Sequence, residues 1–498
     1  MRKFVGYGGW LAALVIVCTA GCNREPPPRP RVTTQAKRPK LPSKTPQPAP
    51  PKAAEPATAS PLSPPPLRQP PGLGDLLQTP AGADVNFHVA GPPPAIDDDK
   101  AAAHGIRKLT GKHLTLYTDL KSSPAVDELP QVFDLAVPQW RDYFALPAEK
   151  TDAWKIWGYL VQDKKKFQAA GLFPDDLPDF ANGYQRRHEL WLYEQPSDYY
   201  RRHLLLHEGT HAAMNHWLGG AGPPWYSEGM AELLGTHQWS DGKLTLGYLP
   251  QSKEEVPEWG RVRLIKDAYS GNRGMRLQEV LKLSGDAHKN NEAYAWSWGA
   301  ATFFDDHPRY GDEFRNLPRK AQDVSVDFTK RFLEHFRAEV PTMQTEWQLF
   351  VAHCEYGYDI ARNAIEPKVA VPLPAAGATV EISATHGWQS TGFVLDKDHT
   401  YKLAAQGRYQ IAKEPKLWWC EPGGVTIRYH RGQPLGMLVA AVRDDLQPTS
   451  PDTLLSPTVI GLSTDFTPKT SGTLWLKINE HEAEWQDNEG SLKVNIRP

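Results

Sequence analysis

The 498-residue chain is expected to be α+β in its first folded part and all-β in its second. Three textures carry that expectation. Between residues 105 and 370, runs with strand alternation come first and runs with helical spacing follow. From Ala378 onward, short alternating runs are separated by glycine, proline and aspartate turns, the pattern of a sandwich of about 120 residues. Ahead of both, Arg24 to Pro94 holds nearly half of the 46 prolines. A segment of that composition buries too little apolar surface to offset its ordering entropy and is expected to be an extended spacer. The division is therefore 1–21 signal segment, 22–104 proline-rich disordered linker, 105–370 α+β domain and 376–498 β-sandwich.

In the α+β part, His113 to Thr118 alternates as a strand and Val126 to Phe144 has helical spacing. Lys155 to Gln162 reads as a strand, Lys164 to Ala170 as a short helix, and His188 to Tyr193 as a further strand. Ser197 or Asp198 is the expected N-cap of a helix running through His211. The Gly219 to Pro224 cluster breaks that helix, and a second is expected to start near Ser227. Leu277 to Leu283, Glu292 to Asp305 and Ser325 to Phe350 read as helices, and Pro372-Leu373-Pro374 closes the helical part. Beyond it, Val380 to Ile382, Thr400 to Leu403, Val425 to Tyr429 and Leu474 to Ile478 are expected strands.

Composition bounds the function. A formal net charge of −2, with no basic stretch interleaved with aromatics, gives nothing toward nucleic-acid binding. Seventeen tryptophans, all but one beyond residue 139, favour large folded cores over aromatic-lined grooves for peptides or sugars. At the start, Arg2 and Lys3 precede an apolar run from Trp10 to Val17 that is too short to span a membrane. It ends in Thr19-Ala20-Gly21-Cys22, which resembles the lipobox of bacterial lipoproteins, with Thr19 where leucine is usual. That resemblance implies acylation of Cys22, a lipid anchor in the membrane and an exported protein on the periplasmic or outer-membrane face of the cell envelope. Cys18 would leave with the signal. Cys354 and Cys420 remain, either paired or as two buried thiols.

The chemistry is concentrated in His207-Glu208-Gly209-Thr210-His211, followed by Trp225 to Glu232. On a helix, His207 and His211 lie one turn apart on one face, as two ligands of one zinc must. Glu208 beside them is a carboxylate placed to take a proton from a metal-activated water. A buried His-Glu-His face would leave polar groups uncompensated unless it bound something. On the next helix, Glu228 and Glu232 share a face, and two such carboxylates repel unless a cation lies between them. Glu228 as third ligand, with Glu232 accepting the free ring N–H of a ligand histidine, resolves this.

These residues resemble the gluzincin metallopeptidases, especially the bacterial peptidase-MA-like branch, in which a W-x-x-E-G-x-A-E segment follows the metal-binding helix. The resemblance spans about residues 105–365. It implies a mixed sheet, a zinc helix, a helical second half, and an edge strand that binds substrate backbone, for which Gly183 to Tyr193 is the candidate. It also implies a tyrosine in a later helix, and Tyr294 in Ala293 to Trp298 fits. Tyr294 would donate to the oxyanion of the reacting carbonyl, and a core role is its rival. His216, Tyr226, His237 and His307 are weaker alternatives with structural roles expected.

Leu476 to Glu480 and Asp487 to Ile496 resemble the end of the bacterial calcium-dependent galactophilic lectins, and Pro434 to Val439 resembles their G-A-L strand. That resemblance, over about residues 380–498, implies a Ca2+ site with side-chain oxygens from Glu480, Asp487 and Asn488 and a backbone carbonyl from Glu484. Glu421-Pro422 stands where the lectins carry a sugar-contacting H-P, so carbohydrate is a weaker expectation than calcium. The rival is a plain hairpin turn at Asp487 to Gly490.

The expected function is an envelope-anchored zinc metallopeptidase acting on a peptide or protein. Glu208 would serve as general base, and His207, His211 and Glu228 as zinc ligands. The alternative is a non-catalytic, lipid-anchored binding protein that uses its sandwich for a glycan or a partner. An intact Glu208 favours the enzyme.

Overall fold

The computed structural model describes residues 92–498, so the signal segment, Cys22 and the linker as far as residue 91 lie outside it. Its first sheet has five strands in the order β1 (Arg107–Thr110), β2 (Leu114–Thr118), β3 (Ile156–Val161), β5 (Glu189–Tyr193) and β4 (Gly183–Arg186). β2, β3 and β5 are parallel, while β1 and β4 run antiparallel at the two edges. The central strands read as near-continuous apolar runs because both of their faces are covered. Leu116, Leu160 and Leu190 pack under the helix Leu129–Tyr143, which contributes Phe133 and Trp140. On the other face Tyr117, Tyr159 and Trp191 stack in a row, at centroid spacings of 5.9 and 5.3 Å, and close over Phe167 and Phe173.

That second face corrects the linker boundary. Residues 98–104 are not disordered: Asp98–Ala103 is a helix capped by the Asp97 side chain, which accepts the Lys100 N–H at 2.9 Å. Ala101 and Ile106 are buried in the Tyr117–Trp191 layer, so this short segment gains the apolar contact that the proline tract lacks.

The helical half follows the sheet. A histidine helix (Asp198–Ala213) and a glutamate helix (Pro224–Gly235) are followed by the hairpin His237–Ser240/Lys243–Leu246 and the helix Arg261–Ser270, neither foreseen from the sequence. A tyrosine helix (Asn291–Asp305) has eleven of its residues buried. The expected single helix from Ser325 to Phe350 is two, Val326–His335 and Val340–His353. Pro341 supplies no amide hydrogen and clashes with a preceding turn, so it is accommodated only at the start of a new helix. The expected Leu277–Leu283 helix stops at Val280.

The C-terminal part is two antiparallel layers. One sheet runs Thr458–Val459, Leu438–Arg443, Gly472–Ile478, Gln389–Leu395, Val371–Pro372, with only the last strand parallel to its neighbour. The other runs Ser463–Phe466, Tyr401–Gln406, Ser491–Arg497, Ala378–Ser383. Leu438, Leu474 and Leu476 meet Ile382, Leu403 and Val494 between them. The first strand comes from Val371–Pro372, ahead of the expected boundary at 376, and its proline is tolerated because it sits on an edge.

The five-stranded layer is buried on its outer face too, where Val439, Ala441, Trp388 and Trp475 pack against Leu349 and Ile365 of the helical part. Inside this seam Arg443 is buried, donating from Nε to Asp452 Oδ2 at 3.0 Å and from Nη2 to Thr345 at 2.9 Å. Arg443→Ala strands the Asp452 charge and is expected to destabilise the folded unit by roughly 3–5 kcal/mol in denaturant titration. An unchanged midpoint would show that the seam does not depend on this pair. Cys354 and Cys420 are both buried free thiols. Among the described residues, no helix is long and apolar enough to cross a membrane.

Candidate metal centre

The histidine helix starts where Ser197 caps it, accepting the Tyr200 N–H at 3.1 Å. Gly209 lets it press onto the Leu129–Tyr143 helix, since a Cβ there would lie 2.6 Å from the Trp140 ring. This fixes the stripe His203, His207, His211 toward the glutamate helix. That helix begins at Pro224, not near Ser227, because proline at a first turn has no amide hydrogen to leave unsatisfied.

The two helices bring three ligand atoms into a nearly equilateral triangle. His207 Nε2 and His211 Nε2 are 3.2 Å apart, and each is 3.4 Å from Glu228 Oε2. Ligand atoms about 2.0–2.1 Å from one tetrahedral ion sit roughly 3.3–3.4 Å apart, so the spacing is that of a shared ion. Glu228 Oε2 is buried without a hydrogen-bond partner, as an oxygen reserved for a cation would be.

The electrostatics agree. Burial alone would lower the His207 pKa, yet Glu228 and Glu232, one at each ring nitrogen, hold it well above the ordinary value. Burial works to raise Glu228, but His211 and His207 hold it well below the usual carboxylate range.

The outer nitrogens of both rings face oxygens. Glu232 Oε1 is 3.4 Å from His207 Nδ1, and Ser227 Oγ is 3.3 Å from His211 Nδ1. A second cluster, His203, His207 and Glu232, also has metal-ligand spacing. Its cation is already present: Arg261 donates to both Glu232 oxygens, at 2.9 and 2.8 Å. Arg261, Ser227, His203 and His288 were not foreseen from the sequence. For His203 a signal existed, its place one turn before His207 on the same stripe.

Glu208 is buried and points at β4, where a Cβ on Gly183 would lie 2.5 Å from its Oε1. Burial raises its pKa, an effect that His207 and His211 partly offset. β4 is the sheet edge beside the histidine helix, but the expected edge stretch from Gly183 to Tyr193 is a hairpin whose second strand, β5, lies inside the sheet between β3 and β4. Tyr294 comes from the tyrosine helix, its ring 5.9 Å from that of His207. Burial first, then the carboxylates of Glu228 and Glu208, push its pKa up, so it is a phenol rather than a phenolate. His288 backs the Tyr294 ring at 5.3 Å and is itself pinned, with ring nitrogens 3.0 Å from Ser284 O and 2.9 Å from Ser297 Oγ. Phe180, Gly183, Glu208, Glu228, Lys289 and Tyr294 line a cleft of about 600 Å³. His216, Tyr226, His237 and His307 are absent from its walls.

The calcium candidates are less uniform. Glu480 is fully buried, and burial pushes its carboxyl up to about 8. Its Oε2 and the neighbouring Asn488 Oδ1 are buried without partners. Asp487 Oδ2 accepts the Lys413 N–H at 2.7 Å, and the Glu484 carboxylate pairs with Arg428 at 2.6 Å.

No family model matches the chain, and no curated protein does. Among solved structures, it is similar to one described as the EclA N-terminal domain, a PllA-like lectin. Identity is 15%, the match covers 24% of this chain and 93% of that one, and the TM-score is 0.19. A likeness that slight establishes neither fold nor function.

Proposed function

We propose that this chain is a zinc-dependent metallopeptidase of the gluzincin type, exported and anchored in the bacterial envelope through Cys22. The observation that carries the enzymatic reading is the His207–His211–Glu228 triangle, with edges of 3.2, 3.4 and 3.4 Å around one partnerless carboxylate oxygen. Three protein ligands of nitrogen and oxygen type suit a catalytic zinc, since structural sites are closed by four, usually with cysteine. Bound zinc would supply a Lewis acid with an open position for water or a carbonyl.

The chain's own residues supply the rest. Glu208 takes the proton of the attacking water, and its desolvated carboxylate is a stronger base than one in bulk water. It then passes that proton to the leaving amine. Tyr294, held as a phenol, donates to the oxygen that gains charge. Glu232 and Ser227 orient the two ligand rings. β4 offers an edge to an extended peptide beside Glu208.

Metal analysis of the purified protein, with cleavage of a peptide library in the presence and absence of a chelator, tests the reading. Stoichiometric zinc and chelator-sensitive cleavage are expected. Protein free of zinc when refolded with it would overturn the proposal. Gly183→Ala pushes a methyl into the Glu208 carboxylate, and a base displaced by about 1 Å is expected to cost on the order of 100-fold in kcat with zinc retained. Wild-type turnover in that variant would remove Glu208 from the role of base.

A second reading concerns the C-terminal part, where we propose a Ca2+ site built on Glu480 and Asn488. The partnerless buried oxygens favour it. Without calcium, Glu480 stays protonated in the folded state up to about pH 8, whereas in the unfolded chain it ionises near 4.5. The folded state then binds the extra proton, so stability is full below about 4.5 and lost as pH rises toward 8. Calcium favours the ionised form, so thermal midpoints are expected to rise on adding it, most at the alkaline end. At a hundred times Kd the gain is about 2.7 kcal/mol. A midpoint indifferent to calcium at pH 8 would leave the Asp487 to Gly490 segment as a turn only.

A further inference from the structure

We infer that Arg261 is a positioning residue for the metal ligand His207, acting through the Glu232 carboxylate. This rests on the metallopeptidase reading and adds a residue to it that no motif in the sequence marks.

Glu232 is 1% exposed and faces three partners. Its Oε2 lies 3.4 Å from His203 Nε2 and its Oε1 3.4 Å from His207 Nδ1, so the two histidines compete for one carboxylate. Neither contact is short enough to set the carboxylate plane. Arg261 sets it, with Nε on Oε2 at 2.9 Å and Nη2 on Oε1 at 2.8 Å, a fork that admits one orientation. The guanidinium is itself held, its Nη1 donating to Trp259 O at 3.2 Å. In that orientation one oxygen always faces His207 Nδ1. The ring then carries its hydrogen on Nδ1 and turns the Nε2 lone pair toward His211 and Glu228.

Two further facts support this role. The Arg261 guanidinium lies 5.7 Å from the centre of the Tyr294 ring, so one side chain reaches the ligand histidine through Glu232 and borders the proposed oxyanion donor directly. His203, both ring nitrogens lacking a hydrogen-bond partner, would draw Glu232 away from His207 if the carboxylate were free to turn. With the fork in place, the His203–His207–Glu232 cluster has its cation in Arg261, and the histidine and glutamate helices hold one metal between them rather than two.

The test is zinc affinity by chelator competition on the full chain, for wild type, Arg261→Gln, Arg261→Lys, Glu232→Gln and the Arg261→Gln/Glu232→Gln double variant. Each apo protein is checked for folding by circular dichroism. Arg261→Gln is expected to weaken zinc binding about 10- to 100-fold, and Arg261→Lys, which keeps charge but loses the fork, by less. The double variant is expected to bind no worse than Glu232→Gln alone, because Arg261 has no other route to the metal. If Arg261→Gln fails to fold, Arg261→Lys and the charge-balanced double variant carry the comparison. Wild-type affinity in the folded Arg261 variants would overturn the inference, and so would losses that multiply in the double variant. A wild type that takes up no zinc would instead overturn the metallopeptidase reading itself, and a second zinc ion that is lost on His203→Ala would overturn the place given to Arg261 in the second cluster.

Discussion

Glu208→Gln is expected to leave zinc bound and to lower peptide hydrolysis by about 10²- to 10⁴-fold. Glutamine has the same shape as the glutamate, so it fits the slot between the histidine helix and Gly183. It contributes no atom to the His207–His211–Glu228 triangle, and metal content is expected to equal that of the parent. What it lacks is a basic oxygen of raised pKa facing the cleft. Single-turnover cleavage with parallel metal analysis separates the outcomes. Undiminished cleavage would mean that another group takes the proton. Loss of zinc along with cleavage would mean that Glu208 holds the site together rather than acting on substrate.

The parts of this site visible in the sequence share one property: their geometry is local. His207 and His211 meet because residues four apart on a helix share a face, and Glu228 and Glu232 do so for the same reason. Ser197 was legible as a cap because its hydroxyl satisfies an amide three residues on. Arg261 was not legible. It begins a short helix with no side-chain cap and reaches a carboxylate 29 residues earlier, a contact that exists only after three helices have packed. Ser227 depends likewise on how the glutamate helix crosses the histidine helix. The folded Asp98–Ala103 helix escaped for a related reason: its stability comes from burying Ala101 under a tyrosine layer, and its own six residues are too few to show periodicity. The break before Pro341 was a local signal, outweighed by strong helical spacing on either side. In the C-terminal part, strand alternation failed at Leu438–Arg443, where all six residues are buried because both faces of that layer are covered.

Gly229→Val is expected to destabilise the fold by about 3 kcal/mol and to weaken zinc binding at the same time. Gly229 lies between the two proposed functional glutamates at the closest approach of the glutamate and tyrosine helices. A Cβ there would sit 2.8 Å from the Ser297 carbonyl oxygen and 3.1 Å from Ala301 Cβ. The first neighbour is backbone and cannot swing aside, so the helices must separate. Glycine in a helix interior costs about 1 kcal/mol relative to alanine, and here the close approach offsets that cost. Separation acts on the site through both helices. It shifts Glu228 away from His207 and His211, and it moves Ser297, whose hydroxyl is 2.9 Å from His288 Nε2. His288 in turn backs the Tyr294 ring. Gly285→Ala supplies the contrast, because a Cβ there meets nothing within 4 Å and its effect is expected to stay within about 0.5 kcal/mol. Denaturant titration of the apo proteins and zinc competition on the folded ones read the two effects separately. A Gly229→Val protein as stable as the parent, with unchanged zinc affinity, would show that the helices have slack at this crossing and that the glycine is not what sets the Glu228 position.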